Sequence, residues 1–121
     1  MSKIIRLVLV VLVLLFAAPL VWAHAFPDNS SPHVGSTLAT PPTTVKVWFD
    51  GEIAPVFSTL IVKNAAGTQV SQGKGQVSSS DNTLLETSLP PSLPAGQYFV
   101  YWSVIAQDGH HTAGRFPFTI R

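Results

Sequence analysis

Gln97-Tyr98-Phe99-Val100-Tyr101-Trp102-Ser103-Val104-Ile105-Ala106 is the longest stretch of this 121-residue chain that reads as a single β-strand. Aromatic and β-branched side chains fill it, and these suit a pleated, half-buried surface. Asp108-Gly109-His110-His111 comes next, then a second such run from Thr112 to Ile120. Asp-Gly between two such runs is the strongest short-range hairpin signal. Upstream, Thr44 to Asp50 alternates, with Val45, Val47 and Phe49 on one face and Lys46, Trp48 and Asp50 on the other. Thr59 to Lys63 is a further strand, closed by the turn composition Asn64-Ala65-Ala66-Gly67. Gln69 to Ser71 reads as a short strand and Thr83 to Leu89 as a longer one, with the Ser/Gly-rich stretch Gly73 to Asn82 between them as a loop. Pro117 inside the final run points to an edge position, because proline cannot donate to a ladder.

No helical period of useful length occurs after residue 24. About seven strands separated by turn signals therefore predict an all-β fold, a Greek-key β-sandwich. No internal repeat or linker divides the body, and its length suits one domain. Trp48, Trp102, Tyr98, Phe49, Phe116 and Phe118, with the aliphatic residues, are the expected core.

The first 23 residues have a different character. Lys3 and Arg6 precede an apolar run from Leu7 to Phe16, then Ala17, Ala18, Pro19 and Val21-Trp22-Ala23. Small residues at Val21 and Ala23 fit signal-peptidase cleavage after Ala23, so 1–23 is read as a signal peptide and 24–121 as the domain. The alternative, an uncleaved anchor, has an apolar stretch at the lower limit for spanning a bilayer, interrupted by Pro19. Removing the signal leaves five Lys and Arg against six Asp and Glu. That near-neutral body lacks the clustered cations that nucleic-acid binding requires. Only 11% of residues are charged and 46% are apolar, a composition that folds. With no cysteine there is no disulfide, no thiolate metal site and no thiol nucleophile.

Cleavage after Ala23 would make His24 the first residue, with a free α-amine beside its imidazole. That amine titrates at about 7.7–8.0, so a metal can displace its proton near neutral pH. Amine and imidazole of one residue then form a compact chelate; the bland reading is that His24 merely happens to border the cleavage site. The second cluster is Asp108-Gly109-His110. Around Gly109, Asp108 and His110 can turn to one side and offer a carboxylate oxygen and an imidazole nitrogen, although the same residues also make an ordinary turn. Together with His24 they form an N,N,N,O set suited to tetragonal Cu(II), the strongest binder in the Irving–Williams order. Met1 is the only methionine and leaves with the signal, so no sulfur ligand for Cu(I) remains.

Other candidates are weaker. His33 lies in the turn-rich Ser30-Ser31-Pro32-His33 and reads as a solvated loop residue. On a strand His111 would point to the face opposite His110, so only one of the two belongs among the ligands of a single ion. Asp50 and Glu52 flank Gly51 and read as a bend rather than a carboxylate pair. Gly73-Lys74-Gly75 lacks the spacing of a phosphate loop, and no G-x-S-x-G elbow supports a hydrolase.

These residues resemble the CopC family of exported copper-resistance proteins. One matching segment is His24, Ser31-Pro32, Gly35-Ser36-Thr37-Leu38, Pro42 and Val45-Lys46-Val47-Trp48-Phe49; the other runs from Leu93-Pro94-Ala95-Gly96-Gln97-Tyr98 through Val100 and Trp102 to Asp108-Gly109-His110, Gly114, Phe116 and Phe118. The resemblance implies a seven-stranded Greek-key β-sandwich or barrel, immunoglobulin-like and cupredoxin-like, that binds Cu(II) through His24, Asp108 and His110. It implies a periplasmic, monomeric copper carrier rather than an enzyme, serving copper homeostasis or resistance, with delivery to a CopD-type inner-membrane importer or sequestration as its role. The sequence departs from the family in lacking the methionines of a Cu(I) site and in placing Gly51 between Asp50 and Glu52. Two other functions compete. An N-terminal His chelate resembles the histidine brace of copper monooxygenases, and the fold alone suits a metal-free immunoglobulin-like interaction module.

Overall fold

In a computed structural model the described residues, 25–121, form two four-stranded sheets packed face to face. The strands are β1 (Pro27–Ser31), β2 (Thr37–Leu38), β3 (Thr44–Phe49), β4 (Thr59–Asn64), β5 (Gln76–Val77), β6 (Leu84–Ser88), β7 (Gly96–Ile105) and β8 (His111–Ile120). One sheet has the order β1-β3-β6-β5, the other β2-β8-β7-β4. The expected β-sandwich is thus the fold, and there is no helix among the described residues.

Period-two alternation builds each layer, because successive side chains on a strand face opposite sides. In β3, Val45, Val47 and Phe49 are buried while Lys46 and Trp48 are only partly covered. In β7, Tyr98, Val100 and Val104 turn inward; Phe118 and Phe116 of β8 stand opposite Tyr98 and Val100, and Ile120 is buried at the end of the same strand. Leu60 and Val62 of β4 and Leu85 of β6 complete the inner faces. Trp102 packs against this core without being fully buried, edge-on to Phe49 at 5.6 Å. Its indole lies directly over Gly114, where an added Cβ would come within 2.7 Å of the ring. Only glycine admits that approach of strand to indole.

Four expectations need correction. Trp48 lies on the outer side of β3 and is not part of the core. Gln69 to Ser71 forms only an isolated bridge between Gln69 and Lys63. The Ser/Gly-rich stretch contains β5, which adds two residues to the edge of β6. β1 and β2 escaped the sequence reading, so the described residues contain eight strands, of which β2 and β5 are only two residues long.

Tyr98 Oη donates a 2.7 Å hydrogen bond to the carbonyl of Pro94, four residues upstream. This is the tyrosine-corner arrangement of Greek-key sandwiches. Burial pushes its phenol above the ordinary tyrosine value. The folded state thus holds this proton more tightly than the unfolded chain does. The resulting stability is present below the unfolded value of about 10 and is lost as pH rises through the folded one. Tyr98→Phe is expected to cost about 0.5–1.5 kcal/mol at neutral pH and to blunt the alkaline loss, both read by urea unfolding. An unchanged midpoint at neutral pH would remove the corner from the stability account.

Candidate functional site

β7 and β8 pair in unbroken antiparallel register from Gly96↔Ile120 to Ile105↔His111. Beyond that pair Ala106 N–H bonds the His110 carbonyl at 2.9 Å, and Gly109 N–H bonds the Ala106 carbonyl at 2.9 Å. Gly109 has φ +89°, a conformation that L side chains rarely adopt. A three-residue hairpin loop with glycine in the left-handed position has this geometry. Asp108 is therefore a turn residue, as its position beside Gly109 suggests.

It is more than that. Asp108 Oδ1 accepts the His110 backbone N–H at 3.0 Å, and Oδ2 lies 2.8 Å from His110 Nδ1. Since a carboxylate only accepts, Nδ1 carries the proton in this contact, which leaves the neutral ring's lone pair on Nε2. A carboxylate has about four acceptor sites, so Asp108 can hold the ring and still face a cation. The side chains remain accessible, Asp108 at 25% and His110 at 47% exposure. The turn and the donor pair are one structure.

The segment leading from the N-terminus is fixed beside this hairpin. Ala25 is fully buried, and its carbonyl accepts a 2.7 Å hydrogen bond from Thr112 Oγ1, two residues after His110. Phe26 N–H donates to Asp50 Oδ1 at 2.8 Å, and Asp50 N–H returns a bond to the Phe26 carbonyl at 2.9 Å. Thr112 and Asp50 are thus the positioning residues that the sequence did not disclose. Asp50 works alone in this staple, while Glu52 contributes its carbonyl to Gln107 N–H at 3.2 Å. His24 and the segment read as a signal peptide lie outside the described residues. Among those described, no group of three or more His, Cys, Asp and Glu converges as a metal cage. Asp108 and His110 are brought together as a pair.

The other histidines stand apart. His111 begins β8 on the outer face of its sheet, where its Nε2 lies 2.7 Å from Ser103 Oγ. His33 lies in an exposed turn whose carbonyl accepts from Ser36 N and Oγ. That turn meets β8 at Pro117, through the Gly35 N–H bond to its carbonyl. Pro117 is six strand positions from His111, about 20 Å along the sheet.

The model of the CopC domain matches residues 28–121, which span both sheets and the hairpin. The chain belongs to the CopC family. Copper transport protein CutJ of Bacillus subtilis (strain 168) is 28% identical over 113 residues, which cover 93% of this chain and 21% of CutJ. Protein YobA of Escherichia coli (strain K12) is 25% identical over 120 residues, 99% of this chain and 97% of YobA. This CopC chain therefore spans about a fifth of CutJ but almost the whole of YobA. Among solved structures, CopC from Methylosinus trichosporium OB3b superimposes with a TM-score of 0.74 at 28% identity, over 80% of this chain and 93% of that one. PcoC, a methionine-rich copper resistance protein from Escherichia coli, shares the fold with a TM-score of 0.72 at 24% identity, over 82% and 100% of the two chains. Methionine richness does not extend to this CopC chain, whose only methionine is Met1.

Proposed function

We propose that this CopC protein is an exported, monomeric, non-catalytic Cu(II) carrier of the periplasm. In this reading the signal peptide 1–23 is removed and the domain 24–121 begins at His24. The His24 amine and imidazole, an Asp108 oxygen and a His110 nitrogen hold the ion, which is cargo rather than a resident cofactor. The carrier either sequesters copper or delivers it to a CopD-type membrane importer, in keeping with homeostasis or resistance.

The Thr112 bond to the Ala25 carbonyl is the observation that carries this reading. It ties Ala25 to β8 two residues after His110, which supports a site that combines the residue before Ala25 with the Asp108–His110 pair. The donor chemistry agrees. Nitrogen and carboxylate ligands suit tetragonal Cu(II), and a chain without cysteine, whose one methionine lies in the signal, has no soft sulfur to favour Cu(I).

Electron paramagnetic resonance of the copper-loaded protein counts the nitrogen ligands, and three are expected. His110→Ala should weaken Cu(II) binding at least tenfold, about 1.4 kcal/mol, whereas His33→Ala should leave it unchanged. A large loss at His33 would show that the ligands are misassigned.

A further inference from the structure

The loop from Gly51 to Ser58 lies beside the hairpin, with Ile53 buried in the core and the apolar side chains at its tip left exposed. Ile53 bridges Ala106, Ala54 N–H bonds the Ile105 carbonyl at 2.7 Å, and Ser58 Oγ accepts from Ile105 N–H while donating to the Ala54 carbonyl. The base of the loop is therefore fastened to the end of β7. Its tip is Pro55-Val56-Phe57, where Val56 is 67% and Phe57 71% exposed. Single exposed apolar residues are ordinary, but an adjacent pair on an anchored tip makes a fixed projection, the kind of feature that marks a docking site.

Charge tells what kind of surface receives it. Asp28, Asp50, Glu52, Asp81 and Asp108, five of the six carboxylates, lie at this end of the sandwich. The pairing of Pro27 with Phe49, the Ile53–Asn82 bond and the Ile53–Ala106 bridge bring their segments together. Four of the five described Lys and Arg lie elsewhere. Lys46 stands opposite Ser31 and Glu86, and Lys63 and Arg115 lie over the Tyr101 and Phe99 rings. Arg121 comes after the far end of β8, and Lys74 is the nearest cation, its carbonyl taking the Leu60 N–H two residues past Ser58. A second copy docking here would oppose one acidic rim with another, and an anionic bilayer would be repelled.

We infer that Val56 and Phe57 are the anchor of a docking surface for a protein partner that offers an apolar socket bordered by Lys and Arg. The surface adjoins Asp108 and His110, so it is suited to passing the ion across. That purpose rests on the copper reading above; the docking itself does not. The acidic rim steers the basic partner and fixes its orientation, and the apolar anchor slows its release.

The test uses a short amphipathic leucine–lysine peptide as the probe, titrated into metal-free and copper-loaded protein by calorimetry and chemical-shift mapping. Saturable binding centred on residues 53–58 and 106–111 is expected, weakened at least tenfold in Val56→Ser/Phe57→Ser. Glu52→Gln should weaken it two- to threefold at low ionic strength and flatten its salt dependence. Absence of binding, or equal binding by the double variant, overturns the inference. So does tighter binding to phosphatidylcholine or phosphatidylglycerol vesicles than to the peptide, or self-association in sedimentation that the double variant abolishes. Cu(II) titration runs alongside, and the double variant should keep its affinity within twofold. Failure of the wild type to bind Cu(II) sinks the carrier reading and leaves the peptide result standing; failure of the peptide alone sinks the docking surface.

Discussion

A protein with one alanine added ahead of His24 is expected to bind Cu(II) at least a hundredfold more weakly than one that begins at His24. The added residue turns the α-amine into an amide, which neither titrates near neutrality nor donates a lone pair without losing a far more tightly held proton. Two ligands in one chelate become a single imidazole. A hundredfold change is about 2.7 kcal/mol, a modest figure for the loss of a nitrogen donor and its ring. The pH dependence separates the two proteins as well. Affinity of the His24-first protein should climb with pH until the amine has lost its proton near about 7.7–8.0, and the extended protein should lack that step. Competition titrations across this range provide the measurement. Equal affinities would take the amine out of the site and leave the Asp108–His110 pair to account for all binding.

Phe118→Ala is expected to have the largest effect on stability, about 3–5 kcal/mol. Phe118 is fully buried and stacks on Tyr98 at 5.5 Å with the rings 15° apart. The two stand opposite each other in the β7–β8 register, so truncation leaves a void in the core beneath the longest ladder. A domain of this size has about 5–15 kcal/mol of net stability in all, and this chain has no disulfide to restrain its unfolded state. Guanidinium unfolding of the variant reads the loss through its midpoint at constant slope. A change below about 1 kcal/mol would mean that neighbouring side chains collapse into the space. The same strand carries Thr112, so a variant that melts at working temperature should also release the segment that precedes β1.

The elements that could be read directly from the sequence are those whose burial imposes a pattern. Val45, Val47 and Phe49 alternate with polar neighbours because one face of β3 meets the core, and β7 and β8 are long and aromatic because they cross it. β1 has no such pattern. Pro-Asp-Asn-Ser-Ser is exposed at four of five positions, and it is a strand through its backbone pairing with β3 rather than its side chains. Gln69 to Ser71 misleads for the converse reason. Val70 looks like a strand residue, yet the segment is held by Val70 and Ser71 N–H bonds to the Val62 carbonyl and by Gln69 Nε2 reaching the carbonyls of Ser71 and Gly73.

The candidate site divides along the same line. Asp108 and His110 are two residues apart, and Asp-Gly announces the turn that joins them. Thr112 and Asp50 act on residues 87 and 24 positions away. Contacts of that range leave no mark in local spacing, so the residues that hold Ala25 and Phe26 in place emerge only from the folded chain.

Pro117 bears on how the molecule behaves in a crowd. β8 has β7 along one side, while β2 covers the other only at Thr119 and Ile120. The Pro117 carbonyl turns to that less covered side, where Gly35 N–H takes it at 2.8 Å. In an antiparallel strand the amide of the same residue faces the same way, so the donor that proline lacks is missing from the open flank. A stray extended peptide trying to zip along this margin would find a gap in the ladder, and Arg115 two positions earlier on the exposed face adds a charge. The flank that would otherwise template fibrous stacking is thereby blunted by a single imino acid.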